Sequence, residues 1–200
     1  MIETETKFRV PDAGCLRRLG ELQAVGPFRV IGRRTVAQRD EYWDTPERSA
    51  AAAHVSVRLR EVSGERLFTV KCGAVVEGQA RRVEIEEPAG EGELRGWLGA
   101  LAAAGRVDLP FDPGRLEAVL EIRNRRSILE LAAPDARAAL CLDEVLFRGP
   151  RGETGDREAE LELEAGGEAR LAEAAAWLRD RFALEPARES KYQRALAAVG

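Results

Sequence analysis

Ile2-Glu3-Thr4-Glu5-Thr6-Lys7-Phe8 is the stretch whose reading decides the fold. Side chains alternate across an extended backbone, so Glu3, Glu5 and Lys7 share one face and Ile2, Thr4, Thr6 and Phe8 the other. Two carboxylates and an ammonium in a row can hold a divalent ion and an anion together. The same row can also be the wetted face of an antiparallel sheet. The choice turns on whether other strands repeat the pattern with complementary charges.

Working outward, the repetition is there. Residues 28 to 44 read as extended, with Gln38, Asp40, Tyr42 and Asp44 on one face. In 54 to 60, Val55, Val57 and Leu59 alternate with Ser56, Arg58 and Arg60, and Ser63-Gly64-Glu65 turns the chain into 67 to 71 as a hairpin carrying Thr69 and Lys71. Residues 73 to 78 read as a loop, followed by a strand that aligns Arg82, Glu84 and Glu86. The strand 119 to 131 sets Glu121, Arg123 and Arg125 opposite Leu120 and Ile122, and its apolar register shifts near Ser127 as at a bulge. In 139 to 147 Asp143 stands among apolar residues, which is costly unless it meets a cation. After a loop at 149 to 155, the strand 157 to 164 alternates Glu158, Glu160, Glu162 and Glu164 with apolar residues.

Between these strands lie helical patterns. Asp12 opens one carrying Cys15, Leu16, Leu19 and Leu22; others span 91 to 104, 168 to 183 and 189 to 198, the last with Ser190 as its cap. Short turns are expected at 47 to 53 and 113 to 118. If the charged faces point outward, the apolar faces must meet in a sandwich; if inward, the helices cover a barrel. Several amphipathic helices favour the second arrangement.

Composition narrows the function. Two hundred residues, 44% hydrophobic, suffice for one domain over 1–200, and no linker divides them. A net charge of -4 gives no global basic field for nucleic acid or an anionic membrane, so any polyanion site must be local. The scattered Cys15, Cys72 and Cys141 argue against a disulfide framework and suit a reducing cytoplasm. No apolar run approaches the roughly 18 residues of a membrane span, and the chain begins on charged residues rather than a signal-peptide core. A single histidine, His54, argues against a His-based triad or a multi-histidine zinc site, and no glycine-rich phosphate loop is present.

Glu3-x-Glu5-x-Lys7 resembles the ExExK signature of the CYTH superfamily, the triphosphate tunnel metalloenzymes, which includes inorganic triphosphatases, thiamine triphosphatases and class IV adenylate cyclases. Asp40 to Pro46 resembles that family's Tyr-x-Asp-Thr-Pro segment, Arg58-x-Arg60 and Thr69-x-Lys71 its next two strands, and Arg82-x-Glu84-x-Glu86 the one after. Asp143, Glu160-x-Glu162 and Ser190-Lys191 follow in the same order. The basic strand offers Arg123, Arg125 and Arg126, of which alternation selects Arg123 and Arg125. The acidic strand offers Glu158 to Glu164, of which Glu160 and Glu162 match the family's wording.

The resemblance implies an α+β fold: an eight-stranded antiparallel barrel forming a tunnel, with helices packed outside. It implies a triphosphate-containing small molecule as ligand, with Lys7, Arg58, Arg60, Lys71, Arg82, Arg123, Arg125 and Lys191 as its cations. Glu3, Glu5, Asp143, Glu160 and Glu162 would hold Mg²⁺ or Mn²⁺, hard ions that take oxygen ligands. Glu3, Glu5 and Lys7 are the catalytic candidates, with Glu5 or Glu3 orienting the attacking water. Ion pairing within the wall is the structural alternative for Arg82, Glu84 and Glu86. The expected function is a metal-dependent triphosphatase cleaving the terminal phosphate of inorganic tripolyphosphate or an organic triphosphate. A class IV-type adenylate cyclase and a non-catalytic polyphosphate- or nucleotide-binding module are the alternatives. No nucleic-acid or membrane partner is expected, and the chain is read as a monomer or homodimer.

Overall fold

The computed structural model describes residues 4–76, 79–90 and 92–200, and for 73–76 and 79–83 the backbone alone. In chain order the elements are β1 (Glu5–Arg9), α1 (Ala13–Gly20), β2 (Ala24–Val25), β3 (Phe28–Asp44), α2 (Ser49–Ala52), β4 (Val55–Val62), β5 (Glu65–Val76) and β6 (Gln79–Pro88). They continue with α3 (Leu94–Ala103), a 3₁₀ turn (Pro113–Arg115), β7 (Glu117–Ala133), β8 (Ala136–Gly149), β9 (Gly152–Ala165), α4 (Glu168–Phe182), β10 (Glu185–Pro186) and α5 (Lys191–Val199).

All strands join one antiparallel sheet in the order β10-β1-β9-β8-β7-β3-β4-β5-β6, with β2 on β3. Among the described residues, eight strands of five to 17 residues correspond to the expected eight; β2 and β10 are two-residue additions. The sheet curls into a tunnel, but among the described residues no pairing of β6 with β1 closes it.

Three local expectations change. Gly73 to Val76 continues β5, paired with 79–82, and Gly152 to Gly155 already belongs to β9, so the two expected loops are shorter. No bulge interrupts β7 at Ser127; its register shifts where Tyr42 and Trp43 of β3 meet Leu120 and Ala118.

The convex face explains the outer helices. Phe8, Leu129, Leu131, Leu140, Leu142 and Leu161 bury against α1 and α4 through Cys15, Leu19, Leu171 and Leu178. Val57, Leu59, Phe68 and Val70 bury against Leu94, Leu98 and Leu101 of α3. Asp12 starts α1 as expected, its carboxylate accepting from the Cys15 amide at 2.7 Å. α5 departs from the expected outer layer. It packs on the concave face, where Tyr192, Ala195 and Val199 meet Tyr42, Ile122, Val145 and Phe147. A capping box between Ser190 and Gln193 fixes its first turn.

Asp44 ties α5 to the sheet. Fully buried, it accepts from the amides of Thr45, Ala50 and Ala51 at 2.7, 2.8 and 3.1 Å, and from the Tyr192 hydroxyl at 2.8 Å. The Tyr192 ring stacks on Tyr42, centroids 4.7 Å apart.

Asp44→Ala leaves several buried donors unmet, each costing about 1–3 kcal/mol. Urea denaturation is expected to show a loss of roughly 3 kcal/mol or more, with Asp44→Asn losing less because it keeps one acceptor oxygen. A loss within the scatter of a surface substitution would mean that Asp44 does not hold α5.

Candidate functional site

The concave face gathers the charges. Glu158, Glu160 and Glu162 point inward from β9 at period two; Glu162 lies across from Glu5 of β1, Glu160 from Lys7, and Glu158 from Asp143 of β8. Lys7 Nζ lies 3.0 Å from both Glu5 and Glu160. Arg126, across from Asp143, donates to both of its oxygens at 2.8 and 2.7 Å and also reaches Glu160 and Glu162. Lys191, at the start of α5, lies 2.8, 2.6 and 2.9 Å from Asp143, Glu158 and Glu160. Arg194, one turn later, holds Glu158 and Asp156.

The opposite wall repeats the logic with arginine. Arg60 grips Asp40 through two parallel bonds of 2.7 and 2.9 Å. Arg58 lies 3.6 Å from both Asp40 and Glu84 and donates to the Tyr42 hydroxyl. Lys71 meets Glu84 at 2.8 Å, and Thr69 donates to Glu86.

These walls enclose a cavity of about 570 Å³. Of the residues expected at the site, Glu5, Lys7, Arg58, Arg60, Lys71, Glu160, Glu162 and Lys191 line it. Asp143 sits behind its wall, fully buried on Arg126 and Lys191, which meets the requirement that a carboxylate among apolar residues find cations. Glu3 and the Arg82 side chain lie outside the described residues.

Arg123 and Arg125 are not brought to the cavity. They project from the convex face, with Arg123 52% exposed on Glu121 and Arg125 70% exposed near Glu144. Arg126 and Asn124 face inward in their place. Alternation misassigned the strand because Ile122, taken as the apolar outer face, packs inward under α5, whereas Leu129 and Leu131 face the outer helices. The two apolar sets of β7 lie on opposite faces, and that parity marks Arg126 as inward. Sequence reasoning also passed over Asp40 and Glu158, although both share parity with residues it chose, and Arg194, one helical turn after Lys191.

Among the described residues, two groups of carboxylates have ligand atoms within 4.8 Å of one another: Glu5, Glu160 and Glu162, and Asp143, Glu158 and Glu160. Burial alone would favour their neutral forms, but the cations reverse this at two of them. Glu160 is held well below the usual carboxylate range because Lys191, Lys7 and Arg126 outweigh its burial. Asp143 is lowered for the same reason, by Lys191 and Arg126. Glu158 goes the other way: burial, with Glu160 beside it, raises it despite Lys191 and Arg194. Burial works against the Lys7 and Lys191 ammonium groups, yet the carboxylates around them raise both above the ordinary lysine range.

The model of the CYTH domain family matches residues 1–196. A Bacillus halodurans structure named a "putative adenylate cyclase" is 21% identical, with 96% of each chain covered and a TM-score of 0.66. The Hippeastrum protein HpAC1, named a "putative adenylyl cyclase" and described as having a dominant triphosphatase activity, is 18% identical over 100% of this chain and 97% of its own, again with a TM-score of 0.66. The PH1819 protein of Pyrococcus horikoshii is 18% identical over 98% and 99%, with a TM-score of 0.54. At these identities the likeness is one of fold. No curated protein matches the chain in sequence.

The two arginines one residue apart in β7 separate by experiment. Arg126→Met strands Asp143 and Glu160 beside an apolar side chain and is expected to cost about 3–5 kcal/mol in urea denaturation. Arg125→Ala is expected to stay within about 0.5 kcal/mol, as for an exposed site. The reverse order would put the wrong parity on β7.

The depressed carboxylates set an acid limb. Asp143 and Glu160 contribute stability that is full above their ordinary values of 3.8 and 4.5 and is lost as pH falls through their lower folded values. Lys191 contributes below its ordinary 10.5 and loses its contribution only as pH rises through a higher folded value. The melting temperature is therefore expected to hold across neutral pH and fall in acid, with Glu160→Gln showing a shallower acid limb than wild type by circular dichroism.

Proposed function

The chain belongs to the CYTH domain family, and from that premise we propose that it is a triphosphatase, cleaving the terminal phosphate of inorganic tripolyphosphate or of an organic triphosphate with a divalent metal ion. The observation that carries this is the shared cavity: Lys7, Arg58, Arg60, Lys71, Arg126 and Lys191 face the same space as Glu5, Glu160 and Glu162. Binding of an anion alone gains nothing from carboxylates at its site. A site for an anion together with its cation needs both.

The donor set fits a hard divalent ion, since Glu5, Glu160 and Glu162 offer oxygens close enough to share one. When bound there, Mg²⁺ or Mn²⁺ supplies charge neutralisation and a more acidic water. The arginines Arg58, Arg60 and Arg126 suit paired contacts to phosphoryl oxygens, and the lysines serve as point charges. Together they neutralise the charge that spreads over the equatorial and bridging oxygens as the terminal P–O bond breaks. Glu5 is our candidate for orienting the attacking water and taking its proton; Glu3, the other candidate from the sequence, lies outside the described residues. Orthophosphate and the shortened anion leave.

A small anionic substrate needs neither nucleic acid nor membrane as a partner, and among the described residues no helix is long and apolar enough to cross one. The unpaired Cys15, Cys72 and Cys141 suit a reducing cytoplasm. A monomer or a homodimer would serve equally.

Purified protein incubated with tripolyphosphate, ATP or thiamine triphosphate and Mg²⁺ or Mn²⁺ is expected to give orthophosphate and the diphosphate product by ³¹P NMR, and none after chelation. Lys7→Ala is expected to lower kcat/KM at least tenfold, about 1.4 kcal/mol of transition-state stabilisation. Cyclic AMP from ATP would point to a cyclase instead. No turnover of any substrate would leave a binding module.

A further inference from the structure

The two carboxylate groups that share Glu160 differ in access. Glu5, Glu160 and Glu162 line the cavity, whereas Asp143 and Glu158 do not; their side chains are 0% and 1% exposed. The inner group is also occupied. Lys191 Nζ lies within hydrogen-bonding distance of Asp143 Oδ2, Glu158 Oε1 and Glu160 Oε1 at once, so its three N–H donors match three carboxylates. Arg126 takes both oxygens of Asp143, and Arg194 holds the other oxygen of Glu158. A divalent ion set among those oxygens would lie within a few ångströms of the ammonium, in surroundings that screen the repulsion poorly. The outer carboxylates also carry cations, Lys7 on Glu5 and Glu160 and Arg126 on Glu160 and Glu162, but all three acids face the cavity, where an entering ion reaches them.

We infer that Lys191 is the resident cation of the Asp143, Glu158 and Glu160 group and closes it to a divalent ion, confining the metal to Glu5, Glu160 and Glu162 until Lys191 withdraws. The inference rests on the metal-binding tunnel proposed above. Lys191 is the first residue of α5, and its ammonium is the group that an incoming polyphosphate oxygen can draw out of the wall. Substrate entry then opens the inner carboxylates, so polyphosphate and a second ion strengthen each other's binding reciprocally. Lys191 acts here as a positioning residue: it decides how many metal ions the empty tunnel accepts.

Equilibrium dialysis against Mn²⁺ alone, with bound metal counted by elemental analysis, tests this without reference to turnover. Wild type is expected to bind one equivalent, Lys191→Met two, and Lys191→Arg, which keeps the charge, one. Two equivalents in wild type, or one in a folded Lys191→Met, overturns the assignment of Lys191 while leaving the metal tunnel standing. Absence of Mn²⁺ from wild type and both variants overturns the metal tunnel itself. Should Lys191→Met fail to fold, Glu158→Gln serves: it removes a carboxylate of the inner group and is expected to retain the single equivalent. Loss of that equivalent would make Glu158 a metal ligand and refute the inference.

Discussion

A carboxylate withdrawn from water on the inner face of a curled sheet must meet a cation there, because its desolvation exceeds anything that packing returns. Glu160 shows the constraint most fully. It is 4% exposed, and Lys7 from β1, Arg126 from β7 and Lys191 from α5 all reach it. Those cations come from three separate elements. Lys7 sits directly across from Glu160 on the neighbouring strand, but Arg126 lies two strands away and Lys191 on α5, so without the curl and the helix Glu160 would keep one cation of three.

The same constraint sorts the rest of the molecule. Charges that are inward and paired leave the alternate positions apolar, and these form the outer sheet surface that α1, α3 and α4 cover. α5 breaks this rule by entering the concave side. Its apolar residues meet Ile122, Val145 and Phe147, while Lys191 and Arg194 reach the acids of β8 and β9. One helix thus closes part of the tunnel and supplies it with two cations. Preorganised cations of this kind suit a reaction whose difficulty is accumulated negative charge rather than covalent chemistry.

Glu158 and Glu160 illustrate how neighbouring carboxylates divide their roles. Both point inward from β9, yet the cations around Glu160 favour its charged form while burial pushes Glu158 toward its neutral one. Two acids crowded around one ammonium do not ionise with equal ease. The position of Lys191 between them is therefore an electrostatic compromise, and a compromise is what an incoming anion can shift.

Alternation in the sequence determined that the strands carry charge on one face and apolar residues on the other, and the order of the charged motifs determined the family and the tunnel. The family resemblance, laid over that alternation, also named most of the lining: Glu5, Lys7, Arg58, Arg60, Lys71, Glu160 and Glu162. Tertiary structure decided the parity of β7. Ile122 and Leu129 are both apolar and both buried, one under α5 and one under the outer helices, and a period of two cannot tell which layer covers which residue. Only the placement of α5 turns Arg126 inward and Arg123 and Arg125 out, because burial on both faces of a strand erases the contrast that periodicity reads.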